Sequence, residues 1–354
     1  MTFRRPLRSL LGSVLATTLI ASSAAIAHES DRSVLVLTST NNPGGNDVVV
    51  FKLDTGGAPA LSLAATLPTG GLGGAGGNAG ILQFKEDSGA VANFGSNTVT
   101  RLERHDDFIN VAGSLKLAEG CTQPDSVALS HDHLFVVGAN CVETRQWPFG
   151  GPGGVIKLAD SSAGQIAVGR TWAAITLKSG SVLQLPLTPW GAPSGSVVPV
   201  PLPDTANNTP LGAAFWGDKL GFTPAHSPDS FAIVNRDRDV FPIVGPTPPF
   251  PTNAPCWVAK GPGNVWYTGN SPGHALSIFF SDGQGGAFYK SIPLPGVPTD
   301  ITVSADNKWL AVIYTASSSG YVAVFSIDSY GDLTPVATSS PIGVTAFNGV
   351  AISE

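Results

Sequence analysis

Helical periodicity is missing from this chain. After residue 27 no stretch sustains a 3.6-residue apolar repeat, which leaves an all-β protein. Charge is scarce as well. Only 12% of residues are Asp, Glu, Lys or Arg, the net charge is −6 and the pI is near 5.5, so the protein offers no basic surface to nucleic acid or to an anionic membrane. Beyond the first 27 residues no apolar run approaches the roughly 18 residues of a membrane span. There is no Gly-x-Ser-x-Gly elbow, no EF-hand loop and no His-x-x-x-His pair, so neither a strained nucleophile nor a sequential metal motif is indicated.

Turn residues and repeats are abundant instead. Gly 42 and Pro 29 in 354 residues suit many tight turns, and 42% hydrophobic residues suit sheets covered on both faces. Short apolar strands begin near Gly80, Asp125, Gln165, Gly212, Cys256, Asp300 and Asn348, 40 to 48 residues apart, the period of a four-stranded propeller blade. The closing segment Asn348-Gly349-Val350-Ala351-Ile352-Ser353 repeats the interior motifs Asp125-Ser126-Val127-Ala128-Leu129-Ser130 and Asp300-Ile301-Thr302-Val303-Ser304. Residues 33–69 supply only three strands. The spacing therefore predicts a seven-bladed β-propeller whose first blade takes its fourth strand from residues 347–353, so that no sheet edge is left open.

Residues 1–27 read as an export signal. Arg4, Arg5 and Arg8 precede the apolar run 10–20, and Ala25-Ile26-Ala27 is a small-x-small cleavage site. The paired Arg4-Arg5 fits a twin-arginine route as well as the general secretory one. Residues 28–354 then form a single domain, expected to be a monomer in the periplasm or outside the cell. In a propeller, the loop into each innermost strand and the loop between second and third strands share one face. That rule brings Cys121 and Cys141 together in blade three, and an oxidising compartment predicts their disulfide. Cys256 is left over as a buried apolar residue without a cationic neighbour to activate it.

The seven-unit count, the motifs Gln123-Pro124-Asp125-Ser126-Val127-Ala128-Leu129-Ser130 and Val297-Pro298-Thr299-Asp300-Ile301-Thr302-Val303-Ser304-Ala305-Asp306, the strand Val322-Ala323-Val324-Phe325 and the link Thr69-Gly70-Gly71-Leu72-Gly73 resemble the lactonase-like seven-bladed propellers, which include 6-phosphogluconolactonase-type proteins and carboxymuconate cyclases. The resemblance covers nearly all of residues 33–353 and rests on structural motifs. It implies opening or forming a small lactone by acidic and basic groups around the channel mouth; export argues against a phosphosugar of central metabolism as substrate.

Sorting polar residues by blade position gives the candidates. His131, His133 and His105 fall in turns facing away from the presumed site, and His28 would be a frayed N-terminus. His226 and His274 follow the second strands of blades five and six, where they serve either as proton-transfer groups or as plain rim residues. Glu143 and Arg145, after Cys141, supply an acid or base and an anion anchor, or else pair with each other at the surface. Asp125, Asp300 and Asn348 recur at the start of innermost strands; they cap backbone amides there, or Asp125 and Asp300 contribute to a calcium site. No other cofactor is implied. The run Gly70-Gly71-Leu72-Gly73-Gly74-Ala75-Gly76-Gly77-Asn78-Ala79-Gly80 lacks the helix and lysine of a phosphate loop, and it lets the backbone pass close to the channel or to a ligand. Amides near Asn78 are candidate oxyanion donors. Asn270, in the His274 loop, is a candidate substrate contact, and Trp257 either packs between blades or floors a pocket. Two functions remain: a lactone hydrolase or lactonizing cyclase at the top of the channel, or a non-catalytic propeller recognising a glycan, peptide or envelope partner.

Overall fold

A computed structural model describes residues 32–148, 150–227, 230–244, 254–343 and 347–354. The export signal expected at residues 1–27 lies outside the described residues. Seven four-stranded antiparallel sheets surround a common axis, six of them running from an innermost strand outward in chain order. Blade seven shows the pattern, with Val297–Val303, Trp309–Ala316, Ser319–Ile327 and Leu333–Thr338. Its second and third strands are mostly buried because both faces meet neighbouring blades, whereas the outermost strand alternates toward solvent. Apolar side chains fill the gaps between blades. Phe231, Trp266 and Phe279, for example, join blades five and six, with the Phe231 and Trp266 rings 5.2 Å apart.

The ring closes as the repeat predicts. Asn348–Ser353 is the innermost strand of blade one and pairs with Val34–Ser39, Leu35 opposite Ser353 and Leu37 opposite Ala351. Asp47–Asp54 and Ala60–Pro68 complete that blade.

Every innermost strand but that of blade two carries a bulge where it begins. Register shifts fall between Pro124 and Ser126, Ala163 and Gln165, Pro210 and Ala213, Pro255 and Trp257, Pro298 and Asp300, and at Thr38–Ser39 opposite Asn348 and Val350. Proline fits at these positions because the channel side of the strand has no sheet partner needing its N–H. The bulge corrects one expectation. Asp125, Asp300 and Asn348 do not share a position: Asn348 precedes the bulge, Asp125 sits on it and Asp300 follows it. One inserted residue re-aims each side chain, which similarity of sequence alone does not register.

Cys121 and Cys141 form the expected disulfide, their Cα atoms 5.6 Å apart across a separation of 20 residues. Cys256 is free. Replacing both bridged cysteines by serine should leave the fold intact and lower stability by about 3 kcal/mol, the loop-entropy value for a closed loop of this size. Urea unfolding of the variant against the oxidised protein measures this; an unchanged midpoint would show that blade three holds its loop without the link.

Candidate functional site

The glycine-rich segment forms a strap over the upper mouth of the channel, the mouth at which the innermost strands begin. It leaves blade one beside Asn41, whose Nδ2 donates to Ala75 O at 2.6 Å and whose Oδ1 accepts from the Gly74 and Ala75 amides at 2.9 and 3.0 Å. It then reaches blade four, where Lys178 Nζ donates to Asn78 Oδ1 at 2.6 Å and Ala79 N–H reaches Gly164 O at 3.3 Å. Gly80 is met from two other blades. Its carbonyl accepts from Val127 N–H at 2.8 Å and Ser126 Oγ at 3.2 Å, and its N–H donates to Asp300. At φ +67° and with Ser126 Oγ 2.9 Å from where a Cβ would stand, only glycine fits. The reading of this run as a close backbone passage holds.

Two carboxyl groups lie under the strap. Asp300 accepts the backbone amides of Ile301, Gly80 and Val350, yet complete burial outweighs these donors and pushes its pKa up to about 7. Asp125 accepts from Asn78 Nδ2, and Lys178 lies nearby; burial raises its pKa to about 6 against the opposing pull of that lysine and amide. Burial in turn lowers the Lys178 pKa, with Asp125 acting in the other direction. Asp125, Asn78 and Lys178 thus form a hydrogen-bonded chain in which the Asn78 amide bridges the carboxyl and the amine. Burial also pushes the Cys256 thiol up, consistent with an inert residue.

Two spaces adjoin the strap. Above the channel, a recess of about 210 Å³ is lined by Asn41, Ala75, Gly77, Trp257, Thr299, Phe347 and Asn348. Thr299 Oγ1 is buried and has no hydrogen-bond partner among the described residues. Within the channel, a cavity of about 220 Å³ runs from Gly80, Gln165 and Asp300 down to Lys260 and Phe215. Burial pushes the Lys260 pKa down to about 8.

The structure distributes the residues expected from sequence unevenly. Trp257 lines the recess and donates from Nε1 to Pro298 O at 2.9 Å and Ser271 Oγ at 3.2 Å, the latter in the loop that carries His274. His226 and His274 are exposed; Thr209 Oγ1 lies 3.0 Å from His226 Nδ1. Glu143 and Arg145 are not in a loop of the upper face but within the strand Cys141–Gln146, on the side turned toward blade two. The Glu143 carboxylate takes Arg145 Nε at 2.6 Å and the Ala118 amide at 2.7 Å, and Arg145 also donates to Lys116 O at 2.6 Å. They make the mutual ion pair foreseen as the alternative, but a largely buried one that ties blade three to blade two. Asn270 is fully buried and donates to Ser277 Oγ at 2.7 Å, inside blade six. Amide capping holds for Asp300 and for Asn348, which accepts the Gly349 amide at 2.9 Å; Asp125 binds a side chain instead. No cluster of three metal-ligating side chains occurs among the described residues. Sequence reasoning missed Lys178 and Thr299. Lys178 stands in the turn between second and third strands of blade four, the same loop class that singled out His226 and His274.

No protein-family model matches the sequence, and no curated protein does. Solved structures match over almost the whole chain. The periplasmic gluconolactonase of Pseudomonas aeruginosa superposes with a TM-score of 0.64 at 15% identity, covering 91% of this chain and 99% of its own. The chain has the fold of the lactonase-like propellers. A candidate 6-phosphogluconolactonase from Bacteroides fragilis gives 0.62 at 13% identity over 92% and 99%, and a protein of unknown function from Desulfotomaculum acetoxidans gives 0.67 at 13% over 91% and 99%. At such identities a lactonase-like propeller is shown as a fold, and its chemistry has to be argued from its own residues.

Asp300 makes the stability of this lactonase-like propeller depend on pH. Its folded pKa of about 7 stands above an unfolded value near 4, so the native state holds the proton more tightly. The resulting stabilisation is complete below about pH 4 and is lost as pH rises through about 7. Thermal melts from pH 4 to 8 should show this decline in the wild type and a flatter profile in Asp300→Asn. Parallel profiles would mean that Asp300 titrates alike in both states.

Proposed function

We propose that the protein is an exported hydrolase or lactonizing cyclase that interconverts a small lactone and its hydroxy acid at the upper mouth of the channel. The observation that carries this reading is the Asp125–Asn78–Lys178 chain, which sets a carboxyl and an amine, both shifted toward neutrality by burial, at that mouth. In lactone opening, a base takes a proton from water as it attacks the ring carbonyl, the tetrahedral oxyanion needs donors, and the ring oxygen leaves as an alkoxide that is then protonated. Ionised Asp125 fits the first role through the carboxylate oxygen that Asn78 leaves free, with Asn78 holding the carboxylate in place, and the Lys178 amine is placed to offer a hydrogen bond to the oxyanion. The Gly77 and Asn78 amides carry no hydrogen bond to a described residue and are further donors. His226 and His274, exposed on neighbouring loops, are proposed for the final proton. The buried Glu143–Arg145 pair is better suited to joining blades than to binding substrate. The recess beside Trp257 has room for one small ring. The disulfide and the sequence of residues 1–27 support an extracytoplasmic setting, as does the fold shared with a periplasmic gluconolactonase. Among the described residues, no helix is long and apolar enough to cross a membrane.

A second reading, a binding propeller without chemistry, is favoured by one observation: the recess itself is lined by no ionisable side chain. Proton release in a pH-stat from γ- and δ-lactones, including gluconolactone and muconolactones, with and without calcium, separates the two. The first reading expects turnover that rises through about pH 6 as Asp125 ionises. Asp125→Asn should remove that inflection and lower kcat by roughly 100-fold or more, the contribution of one general base. The His226→Ala/His274→Ala double variant should slow turnover; an unchanged rate would take these histidines out of the mechanism. Absence of turnover on every lactone would leave the binding reading.

A further inference from the structure

The lower face, where the turns between first and second strands emerge, carries a groove of about 710 Å³ remote from the strap. Lys85, Asp132, Arg170 and Gly217 bring to it the corresponding turns of blades two to five. A loop between the third and fourth strands of blade four rises over it and presents Trp190, which is 80% exposed.

That loop is built to hold its shape. Thr188 N–H donates to Ala192 O at 2.7 Å, Gly191 N–H to Thr188 O at 2.9 Å and Ser194 N–H to Pro186 O at 2.9 Å, with a bridge between Leu187 and Pro193. Gly191 lies against Ser130 of blade three, where a Cβ would come within 3.4 Å of Ser130 Oγ. A fixed indole held in water beside a concave surface is unfavourable for the free protein, and a ligand with an apolar face removes that exposure. Arg170 is the second feature. Asp218 binds one of its terminal nitrogens at 3.0 Å and is itself held by the Thr171 amide and hydroxyl at 3.1 and 2.9 Å. The Arg170 side chain is nevertheless 80% exposed, so its guanidinium is oriented while its other N–H groups face solvent. Lys85 is exposed and makes no ion pair among the described residues.

We propose that this groove binds a uronate-bearing oligosaccharide, with a pyranose ring stacked on Trp190 and a sugar carboxylate held by Arg170 and Lys85. The C–H face of a pyranose carries partial positive charge and matches the negative face of an indole. The carboxylate matches an oriented guanidinium, which binds it with two parallel hydrogen bonds. The His131–Asp132 pair on the lip adds acceptors for hydroxyl groups.

Isothermal titration with trigalacturonate tests the proposal, with maltotriose as the neutral control. Saturable binding of trigalacturonate is expected, weakened by salt, absent in Trp190→Ala and about tenfold weaker in Arg170→Gln and in Lys85→Gln, the loss expected for one charge-assisted hydrogen bond. All three side chains are exposed, and lactone turnover, where present, should be the same in each variant because the upper face is untouched. No saturable heat with trigalacturonate, equal binding of maltotriose, or undiminished binding by Trp190→Ala together with Arg170→Gln would each overturn it.

Discussion

The innermost strand of every blade has one edge with no sheet partner, and the structure follows from how that edge is satisfied. Around the channel the answer is a ring of side chains reaching to the next blade's backbone. Ser126 Oγ accepts the Ile166 amide at 3.3 Å, Gln165 Oε1 accepts the Ala213 amide at 2.6 Å, and Thr176 and Thr223 hydroxyls donate to Leu211 O at 2.7 Å and Cys256 O at 3.0 Å. Asp300 does the most, since its carboxyl gathers amides from blade seven, from the strap and from the chain's closing strand. A buried backbone N–H left without an acceptor would cost about as much as a lost hydrogen bond, so the same residues that close the ring also fix the strap.

Fixing the strap decides where chemistry can occur. With Gly80 pinned at the channel's upper end, a ligand arriving at that face meets the strap, the recess beside Trp257 and the Lys178 side chain before it meets the channel. The channel cavity beneath holds both Asp300 and Lys260, and Leu129, Val168 and Phe215 border it from the lower groove, lining both. The two faces therefore present different chemistry: buried, shifted titratable groups above, and exposed aromatic and cationic groups below.

Much of this was legible in the sequence because it is local and repeated. The period, the strand order within each blade, the closing strand and the disulfide all follow from spacing plus one rule of propeller geometry. The site was less legible, for two physical reasons. A bulge shifts register by one residue, so Asp125 and Asp300, alike in their motifs, take different partners and different duties. Strand alternation then decides direction: Glu143 and Arg145 lie near the right loop in sequence but share the Cys141 side of their strand and turn toward blade two. Lys178 gave no motif at all. Only its loop class marked it, and its significance comes from a strap that arrives 100 residues earlier in the chain.

The strap also touches both buried carboxyl groups. Asp300 holds it through the Gly80 amide and Asp125 through the Asn78 side chain, two residues apart on one segment. Burial raises the pKa of both, Asp300 to about 7 and Asp125 to about 6, so both give up their charge close to neutrality. Protonation of Asp125 removes the negative charge that faces Lys178 and leaves the lysine less compensated, so the upper mouth becomes more attractive to an anion as pH falls through about 6. Glycine at this segment gives the backbone the conformation that brings both carboxyls to it, and burial beneath it is what places both titrations close to neutrality.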